Sequence, residues 1–144
     1  MKKKLAFILL LIWLIVIFYL SNQNSIVSGG SSGNTIRFIL NLFHVNNVDS
    51  IVDIIHNPLR ETMHAFEYFI LGILSYNFFR FYNFKKIILF CVSFCVFYSI
   101  SDEVHQIFIP GRTFELLDLF LDFIGSYIGI LLFNFVMVKK FKFL

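Results

Sequence analysis

Long apolar runs recur along the chain, at Leu5–Leu20, Leu59–Phe79, Ile87–Ile100 and Phe114–Val138, each bounded by charged or turn-forming residues. A helix needs about 20 such residues to cross the hydrocarbon core. With no water there, its backbone groups must be satisfied within the helix itself. The pattern predicts an all-α, polytopic membrane protein: a four-transmembrane-helix bundle with helices at about 5–20, 59–79, 87–109 and 114–138. The third run reaches spanning length by continuing through Asp102 to Ile109, where Pro110-Gly111 ends it. The hydrophobic share of 58% and the 21 Phe residues exceed those of an ordinary soluble domain. A chain of 144 residues suits a single domain, 1–144.

The first run follows Lys2, Lys3 and Lys4. It is longer than the apolar core of a signal peptide, and Tyr19-Leu20-Ser21-Asn22-Gln23 offers no small-x-small cleavage site, Val27-Ser28-Gly29 being only a weak candidate. A retained helix is expected. An extracytoplasmic loop, 21–57, comes next, and Gly29-Gly30-Ser31-Ser32-Gly33 marks its first part as irregular. In its second part Ile36, Ile39, Leu40 and Phe43, then Val48, Ile51, Val52 and Ile55, have the spacing of short interfacial amphipathic helices. Pro58 is read as opening the second spanning helix.

Charge sets the expected orientation. In the four-span topology, Lys2, Lys3, Lys4, Arg80, Lys85, Lys86, Lys139, Lys140 and Lys142 share one side, nine of the 12 basic residues. By the positive-inside rule that side is cytoplasmic, with both termini on it. Arg37, Arg60, Arg112, all nine acids and all four His then lie on the other side.

Helical phasing gathers the polar residues into stripes. The second helix carries Arg60, His64 and Glu67, with Tyr68 beside them. The third carries Ser99, Asp102, His105 and Gln106 on one face, with Ser101 adjoining, and turns Glu103 about 100° away. The fourth carries Glu115, Asp118 and Asp122, then Gly125 and Gly129, which permit close helix approach. At about 1.5 Å of rise per residue, Asp102 lies roughly 12 Å below Pro110 and Asp122 roughly 15 Å below Arg112, so the stripes can meet.

Two readings of this constellation compete. Arg60 and Arg112 could pair with the acids as internal ties. Alternatively, Arg60, His64, Glu67, Tyr68, Ser101, Asp102, Glu103, His105, Gln106, Arg112, Asp118 and Asp122 could form an outward-facing pocket for a polar lipid head group or another envelope ligand, Arg being suited to phosphate and carboxylate. Asp102, Glu103 and His64 are the candidates for acid–base catalysis in an enzyme acting on a lipid-linked phosphate or a wall polymer. No cofactor is expected: a divalent metal could draw on Asp102, Glu103, Asp118 and Asp122, with His64 or His105, but the spacing matches no zinc or calcium motif. Ser99 or Ser101 as a nucleophile lacks an elbow motif. Cys91 and Cys95, four apart in an apolar run, suit packing. Membrane lipids are the expected partners, and the lysines read as topology determinants with no nucleic-acid signature.

These residues carry a resemblance. Phe18-Tyr19-Leu20-Ser21-Asn22-Gln23, then Arg60 with His64-Ala65-Phe66-Glu67-Tyr68 and Leu71-Gly72, then Ser101-Asp102-Glu103-Val104-His105-Gln106 with Phe108, Pro110-Gly111-Arg112, Asp118, Asp122, Gly125 and Gly129 resemble the VanZ-like family of small bacterial membrane proteins. Glu61 and Thr62 stand where many members carry a further basic residue, and Asp122 where Asn is frequent. The resemblance implies an integral protein of the bacterial cell envelope, in the cytoplasmic membrane, with a contribution to resistance against glycopeptides such as teicoplanin. It brings no settled reaction or substrate.

Overall fold

The long apolar runs form α1 (Lys2–Ser21), α2 (Val48–Phe79), α3 (Ile87–Gln106) and α4 (Leu116–Lys142), with a 3-10 turn at Arg80–Tyr82 after α2. The computed structural model describes residues 2–22, 37–38, 41–42, 48–82 and 84–142, without the side chains of 48–51, 53–60 and 139–142. The Gly/Ser-rich loop and residues 35–36, 39–40 and 43–47 of the expected interfacial segment therefore lie outside the described residues, as does the Arg60 side chain. Among the described residues there is no strand. Among the described residues three helices are long and apolar enough to cross a membrane: α1, α3 and the Leu116–Val138 part of α4.

Contacts fix the two ends of the bundle. Phe7 of α1 meets Phe78 of α2 with ring centroids 5.5 Å apart, Phe79 meets Phe90 of α3 at 4.8 Å, and Arg80 Nη1 lies 3.0 Å from Met137 Sδ of α4. The start of α1, the end of α2, the start of α3 and the end of α4 thus share one end. At the other, His105 of α3 lies 4.9 Å from Phe18 of α1. Neighbours in sequence run antiparallel, which leaves α2 parallel to α4.

That parallel pair is the closest in the bundle. A methyl group at Gly72 would overlap the Ser126 carbonyl oxygen, one at Gly125 that of Ala65, and one at Gly129 that of Phe69. Small residues on both helices let backbones approach where lipid offers no hydrophobic force to drive them together. A hydrogen bond of 2.6 Å from the Tyr76 hydroxyl to Asn134 Oδ1 pins the same pair nearer the basic end. Two bonds to backbone carbonyls attach α1: Trp13 Nε1 donates to Glu67 O at 3.0 Å and the Tyr98 hydroxyl to Leu14 O at 2.7 Å. Leu10, Ile17, Tyr68, Leu71, Tyr76, Cys91, Cys95 and Ile130 fill the core. Both cysteines are free thiols.

Three boundaries differ from the sequence reading. Pro58 does not open a helix; it lies inside the 32-residue α2, which joins the Val48–Ile55 stretch to the following run. Proline removes one donor and crowds one carbonyl of the preceding turn, and here the turns on both sides remain helical. At 1.5 Å per residue α2 is about 48 Å long, more than the ~30 Å of a hydrocarbon core. Next, α3 stops at Gln106 instead of Ile109. Phe108 N donates to His105 O and Ile109 N to Gln106 O, tightening the chain into turns, and Gly111 adopts a φ of 77° that other residues rarely take. Finally, α4 begins at Leu116, two residues after the expected Phe114.

The glycine contact supplies a test. Gly125→Ala forces α2 and α4 apart and should lower stability by about 1–3 kcal/mol, the usual cost of overpacking. Unfolding of the purified protein in a denaturing-detergent titration measures it, with the exposed turn variant Thr113→Ala as the neutral control.

Candidate functional site

Burial in this protein is inverted relative to a water-soluble fold. Phe97, Phe108 and Leu116 are each more than 70% exposed, whereas Asp102, Glu103, Gln106, Asp118 and Asp122 are at most 5% exposed. Lipid as the outer solvent accounts for the first set. The second must find partners inside the bundle or in a ligand.

The polar groups meet where α3 and α4 enter their shared turn, and α2 closes the cluster from behind. Ser99 Oγ donates to Asp122 Oδ2 at 2.6 Å, joining α3 to α4. One turn further along α3, Glu103 Oε2 accepts the backbone N–H of Glu115 at 2.9 Å, so a side chain of α3 receives the chain as it enters α4. Gln106 bridges the remainder. Its Nε2 donates to Asp102 Oδ2 at 3.4 Å, and its Oε1 accepts from Arg112 Nη1 at 3.4 Å. The turn at Gly111 folds Arg112 back over the end of α3, and this makes the second contact feasible.

From α2, Glu67 comes within electrostatic reach of Asp102 and Arg112, and the fully buried Tyr68 within reach of Asp122 and Asp102. Asp122 in turn feels Asp102, Glu103 and Asp118. His64 is buried on the same helix at 8% exposure. Phasing separated Glu103 from Asp102 by about 100°. Both are nevertheless buried, because α3 is wedged between its neighbours: Asp102 turns toward α1 and α2, and Glu103 toward α4.

Two of the sequence candidates stand apart. Ser101 is exposed and its hydroxyl returns to Tyr98 O of its own helix at 2.8 Å. His105 lies at the rim, with Nε2 3.3 Å from Asn22 Oδ1. Among the described residues no three His, Cys, Asp or Glu side chains are disposed to hold a metal ion. Ser99 was the partner most easily overlooked: it shares the Asp102 stripe one turn deeper, but nothing local marks it as the donor to Asp122. Ser21, buried beside Asp102 at the end of α1, was legible only as a helix exit.

Two carboxyl oxygens of this cluster lack a donor among the described residues. Glu103 Oε1 and Asp122 Oδ1 are buried without a hydrogen-bond partner among the described residues. Native proteins rarely leave such atoms unmet, and exceptions call for an explanation.

These features define a helical membrane protein with an acid-rich polar cluster buried near one end of its bundle. The chain belongs to the VanZ/LLP1 family, which it matches over residues 6–137. No curated protein and no solved structure matches it.

The Ser99–Asp122 bond can be isolated by mutation. Ser99→Ala leaves a buried carboxyl oxygen unmet and should cost about 1–3 kcal/mol in detergent-titration unfolding. Ser101→Ala, two residues away but exposed, should stay within about 0.5 kcal/mol of the parent.

Proposed function

We propose that this protein is a four-pass component of the bacterial cell envelope, in the cytoplasmic membrane with both termini inside. Its polar cluster binds the head group of a lipid or another extracytoplasmic ligand, and through that binding the protein contributes to glycopeptide resistance. The observation that carries the binding reading is a pair of buried oxygens, Glu103 Oε1 and Asp122 Oδ1, with no donor among the described residues. A cluster that served only to tie helices together gains by satisfying every acceptor, since each unmet buried group weakens the fold. A cluster kept for a ligand holds acceptors in reserve. The setting agrees with this: Arg112 and Gln106 stand at the turn, where a polar group arriving from the membrane surface first meets the bundle, and Arg is well matched to an anionic portion of such a ligand.

What supports this orientation is the shared end of the bundle that gathers Lys3, Arg80 and the Lys85–Lys86 turn, the kind of end the positive-inside rule assigns to the cytoplasm. The cluster, at the opposite end, then faces outward.

Teicoplanin susceptibility of a sensitive host tests the functional reading. Expression of the parent should raise resistance. Asp102→Asn and Arg112→Ala, at matched membrane levels, should return it to that of the empty vector. Unchanged resistance in both variants would remove the cluster from the function. Topology is tested separately by single cysteines and an impermeant thiol reagent on intact cells. Cysteine at Ser31 or Thr113 should label and cysteine at Asn83 should not. The native Cys91 and Cys95, at 0% and 1% exposure, add little background.

A further inference from the structure

At the end of the bundle opposite the acids, a cleft of about 610 Å³ opens between α1 and α2, lined by Lys3, Lys4, Phe7, Ile8, Phe78 and Tyr82. We propose that it is a binding site for an anionic phospholipid of the leaflet at this end, the acyl chain lying along Phe7, Ile8 and Phe78 and the phosphate held by Lys3 and Lys4.

Three features favour that occupant. The walls are apolar: Phe7 and Ile8, about half exposed, face into the cleft from α1, and the Phe7–Phe78 ring contact at 5.5 Å forms a floor bridging the two helices. In a bilayer such a groove is in contact with lipid chains, so no soluble ligand competes for it. The mouth is cationic, with both lysines on it and no acid among the lining residues. One of the two is already positioned. Lys3 Nζ lies 3.9 Å from the centroid of the Tyr82 ring, which restrains an otherwise flexible ammonium beside the opening. The backbone adds to the same charge: Lys3 and Lys4 fall in the first turn of α1, where N–H groups have no partner within the helix and the helix dipole is positive. A basic pocket between membrane helices at the head-group level is a recurring arrangement for anionic lipid recognition. The acid cluster plays no part here, so this site stands or falls independently of the proposed function.

Native mass spectrometry of the purified protein, equilibrated with mixed micelles containing equal phosphatidylglycerol and phosphatidylcholine, provides the test. The parent should retain phosphatidylglycerol preferentially. Lys3→Gln/Lys4→Gln should reduce that retention by roughly thirtyfold, the loss expected for two lysines at a membrane surface. Lys3→Arg/Lys4→Arg should preserve it, and Lys139→Gln/Lys140→Gln, which removes the same charge from α4 instead of α1, should leave it nearly unchanged. Equal retention of the two lipids by the parent, or an equal loss in the Lys139/Lys140 variant, would overturn the proposal. The lysines are exposed on the first turn of α1, so their replacement does not disturb the core.

Discussion

The rest of the structure depends on one constraint: α2 and α4 touch backbone to backbone. Gly72, Gly125 and Gly129 have no room for even a methyl group against the facing carbonyls. Because these helices run parallel, the contact also sets their register. It brings His64, Glu67 and Tyr68 of α2 to the level at which α4 presents Asp118 and Asp122. A longer separation would leave those side chains short of one another. The polar cluster is thus a product of glycine placement as much as of the acids themselves.

Lipid as solvent explains why the cluster is arranged as it is. On the outer surface Phe, Leu and Ile cost nothing, so burial of apolar area does not decide which helix faces which. Directional contacts take over that role. The bonds Trp13 to Glu67 O, Tyr98 to Leu14 O, Ser99 to Asp122 and Tyr76 to Asn134 each join a different pair of helices. Two of the four use a backbone carbonyl as acceptor, a group every residue supplies. The α1 helix is consequently held at a fixed depth without demanding any particular side chain at Leu14.

The all-helical architecture was legible in the sequence because it rests on the length of the apolar runs, and the four-residue step of Gly125 and Gly129 marked a face open to another backbone without identifying α2 as the helix that meets it. What escaped depends on partners distant in sequence. Ser99 was visible as part of a stripe, but its choice of Asp122, 23 residues away, follows from the stagger of two antiparallel helices. The reach of Glu103 to the Glu115 N–H depends on the turn between them. The early end of α3 and the continuity of α2 through Pro58 were misjudged for a related reason. Proline and glycine mark where a helix can stop, while neighbouring contacts decide whether it does.

Chain order gives the α2–α4 contact a temporal meaning. The α4 helix, which supplies the Gly125 and Gly129 facing α2 and the Asp122 that accepts from Ser99, follows the other three along the chain, and the Glu115 N–H just ahead of it donates to Glu103. Until α4 is in place, Ser99 lacks its acceptor and Glu103 the N–H that donates to it, whereas Asp102 already has neighbours on α1 and α2. A chain arrested before α4 would leave Ser99 and Glu103 without these partners, and an ionisable side chain left beside lipid is costly.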